Sequence, residues 1–269
     1  MRIVVCVKHV PDLQAERTLG PDGRLVRGED DVLNELDENA VEAAMTLAEQ
    51  TDGEVVALTM GADDAVDAVR RALQMGATEG VHVNDERIAG SDVVGTARVL
   101  AAAVRKLGEE TPVDLVVTGM ASMDGLTAML PAALAADLEL PQLTLAGDVR
   151  LEGTTVTITR TIGDADEVLA AELPAVLSVT DQANEPRYPN FKAIMAAKKK
   201  PVTIWDLDDL SLATTGAEAD GGPEVGTAGA GTRVLAAMPR PARTSGRIIT
   251  DSGDAGTQLA AYLVENKLV

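Results

Sequence analysis

Four short, nearly continuous apolar runs recur along the first half of the chain: Ile3–Val7, Glu54–Thr59, Gly80–Val83 and Val113–Thr118. Continuous apolar runs of this length predict strands covered on both faces, the signature of a parallel sheet. Longer segments between them carry their apolar residues at helical spacing. Glu38–Glu49 places Val41, Met45 and Ala48 on one face, and Asp63–Met75 does the same with Val66, Val69, Leu73 and Met75. Val93–Leu107 and Thr127–Leu138 follow the same period. Strands alternating with helices imply βαβ crossovers, so the expected class is α/β with a mainly parallel sheet. After Pro141 the rhythm changes. Asp148–Glu152 and Val156–Arg160 flank Gly153 as a hairpin, Glu167–Glu172 adds a short strand, and Ala175–Thr180 returns to a buried run. Late antiparallel strands of this kind are expected at the edge of the sheet. Residues 211–232 are rich in Gly, Ala and Thr and poor in large apolar groups, which predicts an extended linker. Asp254–Lys267 then reads as a last helix with Leu259, Tyr262 and Leu263 on one face. The expected division is an α/β body over 1–210 and a linker with a terminal helix over 211–269.

Charge and composition narrow the function. The chain has 269 residues and a formal charge of −20, which argues against nucleic-acid binding through a basic face. No apolar run is long enough to cross a bilayer. MRIVVCVKHV reads as a first strand, and with a single cysteine no internal disulfide forms, so the expected compartment is the cytoplasm. There is no P-loop, no G-x-G-x-x-G after the first strand and no H-E-x-x-H. Two histidines argue against a zinc site. His82 lies inside an expected strand and reads as structural. His9 ends the first strand, where parallel sheets bind ligands. Cys6 sits in a buried run and reads as a small core residue.

Two segments carry more information. Gly119–Leu130, GMASMDGLTAML, follows an expected strand and opens an expected helix. Backbone N–H groups and the helix dipole at such a turn suit a phosphate, and an ordinary strand-to-helix turn uses the same residue types. Ser122 and Thr127 offer hydroxyls, Gly125 permits close backbone approach, and Asp124 is a candidate N-cap. Asn34–Asp37, Met60–Gly61 and Cys6–His9 fall at the same strand ends and would line one cleft with it. Pro186–Trp205 is the second segment. It holds Arg187, Lys192, Lys198, Lys199 and Lys200, no acidic residue, and Tyr188, Phe191 and Trp205 from a total of four aromatics. Scarce aromatics beside scarce positive charge suit a protein-docking surface with Phe191 as its anchor. A solvated helix start with snorkelling lysines has the same composition.

NEPRYPNFKAIMAAKKKP, Asn184–Pro201, closely resembles the signature of the electron transfer flavoprotein β subunit. VVCVKHVPD near the N-terminus, AVEAA at Ala40–Ala44, RRALQMGA at Arg70–Ala77 and LPQLT at Leu140–Thr144 are similar to the same family. The resemblance implies an adenine-nucleotide-binding, Rossmann-like fold. It implies a heterodimer with an α subunit that holds most of the FAD, while the β subunit buries AMP. It also implies electron transfer from flavin dehydrogenases, such as acyl-CoA dehydrogenases, to a membrane quinone oxidoreductase, with no bond-making catalysis by this chain.

Carried onto this sequence, the AMP pocket falls on Cys6, Asn34, Glu35, Leu36, Asp37, Met60, Gly119, Ser122, Met123, Asp124, Gly125, Thr127 and Ala128. The docking loop falls on Arg187, Tyr188, Phe191, Lys192, Ile194 and Met195, and the tail would reach over the α subunit. Gly125–Leu130 offers fewer side-chain donors than many relatives have. It also lacks the D-G-D-T-A-Q-V-G run that bifurcating relatives use for a second FAD. Leu13 or Leu36 stands where some relatives bring an aromatic to the flavin. The alternatives are a bifurcating electron transfer flavoprotein subunit with a second FAD, of whose run only Asp124-Gly125 is kept, and an ATP-using enzyme on the same fold, whose Ser-Gly-rich or His-rich motifs are missing.

Overall fold

Alternating residues of the first strand send their side chains into two different cores, which requires a sheet covered on both faces. A computed structural model describes residues 1–28, 30–212, 225–238, 241, 246 and 248–269. In chain order the elements are β1 (Arg2–Cys6), β2 (His9–Pro11), β3 (Asp31–Leu33), α1 (Glu35–Thr51), β4 (Glu54–Met60), α2 (Val66–Met75), β5 (Glu79–Val83), α3 (Val93–Glu110), β6 (Leu115–Gly119), α4 (Leu130–Leu138), β7 (Gln142–Ala146), β8 (Asp148–Glu152), β9 (Thr155–Ile162), β10 (Ala165–Glu172), β11 (Ala175–Val179), α5 (Phe191–Ala197), β12 (Val202–Trp205), α6 (Gly226–Gly229) and α7 (Ala255–Glu265).

The main sheet has seven strands in the order β12-β5-β4-β1-β6-β11-β7, and every neighbouring pair is parallel. Ile3 and Val5 face α1 and α2 with Val41, Leu47 and Leu73. Val4 and Cys6 face α3 and α4 with Val99, Leu107 and Leu134. Full burial of each Val or Leu contributes about 1.5–3 kcal/mol, so these two layers carry the fold. From β1 the chain winds outward through β4 to β5, then crosses back to place β6 on the other side of β1. That reversal opens a crevice beyond the C-terminal ends of β1 and β6, where doubly wound sheets bind ligands.

Several expectations change. The antiparallel strands β8, β9 and β10 form a sheet of their own instead of the edge of the main one. The helix expected from Thr127 begins at Leu130, because Leu126 and Ala128 adopt left-handed backbone (φ 50° and 52°) that interrupts a helix. Asp124 is therefore not its N-cap; that position is Met129. Trp205 is held in β12 with Lys106 Nζ 5.3 Å from its ring, inside the fold instead of on a docking surface. Lys200 also turns inward. Its ammonium donates to the carbonyls of Leu73, Gly76 and Ala77 at 3.1, 3.0 and 2.6 Å, closing the C-terminal end of α2.

Of the expected linker, residues 213–224 lie outside the described residues. Residues 225–232 dock on the body, with Val225 in the second core layer and Thr232 bonded to Asp92. In α7 no residue is buried, and Leu259, Tyr262 and Val264 are exposed.

Candidate functional site

A cleft of about 1410 Å³ occupies the crevice at the strand reversal. Its floor is the end of β1 and of β6, and one wall is the loop from Met120 to Met129. Cys6, Asp37, Met60, Gly119, Ser122, Asp124, Thr127 and Ala128 all line it, eight of the thirteen positions expected for the cofactor. Asn34 and Met123 sit behind the wall. The Asn34 side chain, fully buried, does not cap α1; its amide donates to the Ala121 carbonyl at 3.0 Å and its oxygen accepts from the Met123 N–H at 2.9 Å. The residue thus braces the loop against the first turn of α1. Glu35, Leu36 and Gly125 do not line the cleft. A Cβ on Gly125 would meet only Ser122 Oγ, at 3.7 Å, so the protein itself does not demand glycine there.

In this loop Ala128 is left-handed and Met129 right-handed (φ −96°, ψ −20°), and Ala128 lines the cleft. Two bonds from Gly125 and Leu126 N–H to the Ser122 carbonyl, at 3.2 and 2.8 Å, fix the approach to it.

Two aspartates flank this floor with opposite electrostatics. Asp124 lies under Lys8 Nζ at 2.9 Å and also pairs with Arg27. Burial pushes its carboxyl up, but the Lys8 charge and hydrogen bonds from Lys8, Ser122 and Arg27 outweigh burial and hold it well below the usual range. Asp37 accepts the Lys8 N–H at 2.8 Å, yet burial dominates and pushes it up to about 7. The Cys6 thiol is pushed up to about 12 by burial and by the Asp37 charge, which keeps it protonated and fits a core residue. His82 is likewise structural: it is buried, its Nε2 lies 3.1 Å from the Gly61 carbonyl, and burial lowers its pKa.

Asp37 sets a pH dependence. Its folded value lies above its ordinary 3.8, so its contribution favours the fold fully below that value and is lost as pH rises through about 7. Asp124 has the opposite sign: its contribution is present above the ordinary value of 3.8 and is lost on acidification. Between pH 5 and pH 8 the urea unfolding free energy is expected to fall by on the order of 2–3 kcal/mol, and the fall should be smaller in Asp37→Asn. An identical decline in both proteins would reject this assignment.

Sequence reasoning passed over Arg24 and Arg27, which lie on the strand-like excursion between β2 and β3 that roofs the cleft. The signal was present: Pro21-Asp22-Gly23 is a turn sequence, and three arginines surround it at 17, 24 and 27. His9, on β2, does line the cleft.

The second expected surface is separate from the cleft. Asn190 caps α5 by accepting from Ala193 N–H at 2.9 Å. Arg187 reaches back to α1 and pairs with Glu42 at 2.8 Å and with Glu49. It therefore fastens the segment and leaves Tyr188 (91% exposed) and Phe191 (79% exposed) presented to solvent. Lys192 and Met195 are exposed beside them, with Ile194 half-buried.

Comparison with known proteins agrees with this architecture. The family model described as "Electron transfer flavoprotein domain" matches residues 22–210. The chain is 44% identical to the "Electron transfer flavoprotein subunit beta" of Mycobacterium tuberculosis, and equally to that of Mycobacterium leprae, over 99% of each chain. It is 33% identical to the "Caffeyl-CoA reductase-Etf complex subunit CarD" of Acetobacterium woodii, over 98% of this chain and 97% of that one. With a parallel doubly wound sheet, a cleft at its strand reversal and a full-length match at this identity, the chain belongs to the electron transfer flavoprotein family, as a β subunit.

Proposed function

We propose that this chain is the non-catalytic half of a heterodimeric electron carrier. In this reading an α subunit holds most of the FAD, and the cleft described above retains AMP as a structural element. The observation that carries the reading is the cleft itself, lined by the Ser122–Ala128 loop and by Lys8 and Arg27 at the reversal point of a parallel sheet. These groups fit a nucleotide monophosphate. The N–H groups of the loop and the two cations would hold the phosphate, while Met60 and Cys6 supply apolar wall. FAD, when bound, supplies the electron-accepting ring; this chain supplies the wall around it and the docking surface.

The exposed apolar residues of the tail support an α-subunit contact. Leu235, Met238, Ile248, Leu259, Val264 and Leu268 are all exposed in the isolated chain. Tyr188, Phe191, Lys192, Ile194 and Met195, on the platform fastened by Arg187, would dock flavin dehydrogenases such as acyl-CoA dehydrogenases. A membrane quinone oxidoreductase would take the electrons onward. Among the described residues no helix is long and apolar enough to cross a membrane, and a cytoplasmic location completes the reading.

Co-expression with the α subunit, a visible spectrum and chromatography of the released nucleotides test it. The expected result is a heterodimer carrying one FAD and one AMP. Two FAD per heterodimer would reject the AMP assignment in favour of a bifurcating carrier. A chain that forms no flavin complex and turns over ATP alone would overturn the carrier reading.

A further inference from the structure

At the mouth of the cleft three elements far apart in sequence bring His9, Asp31 and Asp64 together. His9 comes from β2, Asp31 from β3, and Asp64 from the single turn that precedes α2. A ring nitrogen of His9 and one carboxylate oxygen from each aspartate lie within 4.8 Å of one another. Two of these side chains are not on the surface: Asp31 is 3% exposed and His9 9%. Asp64 is exposed and closes the group from outside.

The buried carboxylate is the informative member. Asp31 Oδ1 accepts the Gly28 N–H at 3.2 Å, but Asp31 Oδ2 is shielded from solvent and, among the described residues, receives no hydrogen bond. A buried carboxylate oxygen without a donor forfeits its hydration with nothing in return. The nearest candidate, His9 Nδ1, stands 4.0 Å away, well beyond the roughly 2.7–2.9 Å of a charge-assisted hydrogen bond. That gap has the size of an ion. Ligands held about 2.0–2.2 Å from a tetrahedral metal stand roughly 3.3–3.6 Å apart, so a small inward rotation of these side chains from their present spacing, 4.0 Å for His9 and Asp31 and within 4.8 Å for the group, would close them on an ion. The neighbouring cations do not fill it: Arg27 donates to the His9 carbonyl at 2.8 Å and pairs with Asp124, and Lys8 is also paired with Asp124. Asp63, beside Asp64, accepts from the Asn84 amide at 2.6 Å and adds negative charge.

We propose that His9, Asp31 and Asp64 bind a divalent transition-metal ion of the Zn²⁺ or Co²⁺ class. One imidazole and two carboxylates suit such an ion better than Mg²⁺ or Ca²⁺, which prefer oxygen alone. Three protein ligands leave at least one coordination position open, and all three residues line the cleft. The scarcity of histidine argued against a zinc site in the sequence; here carboxylates supply the remaining ligands. The site does not depend on which nucleotide the cleft holds.

The test uses the full chain, stripped of metal with a chelator and titrated with Co²⁺ by visible absorption and with Zn²⁺ by calorimetry. Binding is expected to saturate at one equivalent and to raise the melting temperature. His9→Gln and Asp31→Asn should each weaken binding at least tenfold. Asp64→Asn, at an exposed position that leaves the core untouched, should do the same and keeps the test decisive if a buried variant fails to fold. Titrations that do not saturate, or affinity unchanged in His9→Gln and Asp64→Asn, would overturn the site and assign any binding to the acidic surface.

Discussion

Gly119→Ala is expected to destabilise the chain by about 3 kcal/mol, lowering the melting temperature by roughly 6–12 °C. Gly119 ends β6 where the first turn of α1 crosses it. An added Cβ would sit 2.6 Å from Asp37 Oδ1, 2.7 Å from the Leu36 carbonyl oxygen and 2.8 Å from the Leu36 carbonyl carbon. Two of those atoms are backbone, so no side-chain rotation relieves the clash. The helix itself must move, and α1 is packed along its length by Val41, Ala44, Leu47 and Ala48. Movement of α1 also breaks the Asn34 brace on the loop, so the same variant should lose nucleotide from the heterodimer. Gly125→Ala, with open space around it, should stay within about 0.5 kcal/mol of the parent. Urea unfolding of the two variants side by side decides the matter. Equal stability of Gly119→Ala and the parent would contradict the close approach of α1 to β6.

Phe191→Ala is expected to slow reduction of the heterodimer by a partner dehydrogenase by about thirtyfold in kcat/KM, with the flavin spectrum unchanged. The figure corresponds to about 2 kcal/mol, the size of a docking hot spot. Phe191 buries little against its own chain, so its removal should leave the melting temperature within the scatter of surface substitutions. What makes it an effective anchor is the support beneath it: the Asn190 cap, and the Arg187 pairs to Glu42 and Glu49. Stopped-flow reduction of the parent and variant heterodimers measures the effect. A Phe191→Ala heterodimer reduced at the parental rate would remove the docking role from this surface.

Much of the fold was legible because its signals are local. The runs at residues 3–7, 54–59, 80–83 and 113–118 all became strands of the parallel sheet, shifted by one or two residues. The hairpin at Gly153 and the strand through Glu172 also appeared. The misses are short or depend on partners. β2 and β3 have three residues each and exist by pairing with one another. β12 is half-exposed at the sheet edge, so its apolar pattern is incomplete. The loop before α4 misled because small polar residues suit a helix start, whereas two left-handed residues delay it.

The candidate site divides the same way. Eight of the thirteen expected cofactor residues line the cleft; seven of them sit at ends of parallel strands or in the loop after β6, which topology alone brings together, and Asp37 joins them from the first turn of α1. Roles within the site were not legible. Arg187 reads as a free positive charge in sequence, but acidic side chains 138 and 145 positions away make it a fastener.

The sequence by itself determined much of the strand and helix pattern, the α/β class with a mainly parallel sheet, and the family, because periodicity and a long motif need no knowledge of neighbours. Only the tertiary structure decided what each polar group does. Asp37 and Asp124 are the same residue type, and both touch Lys8. One takes its proton near neutrality and the other holds its charge, because burial wins at the first and two cations win at the second. Desolvation and Coulomb energy depend on distances in space, and the chain order does not contain them.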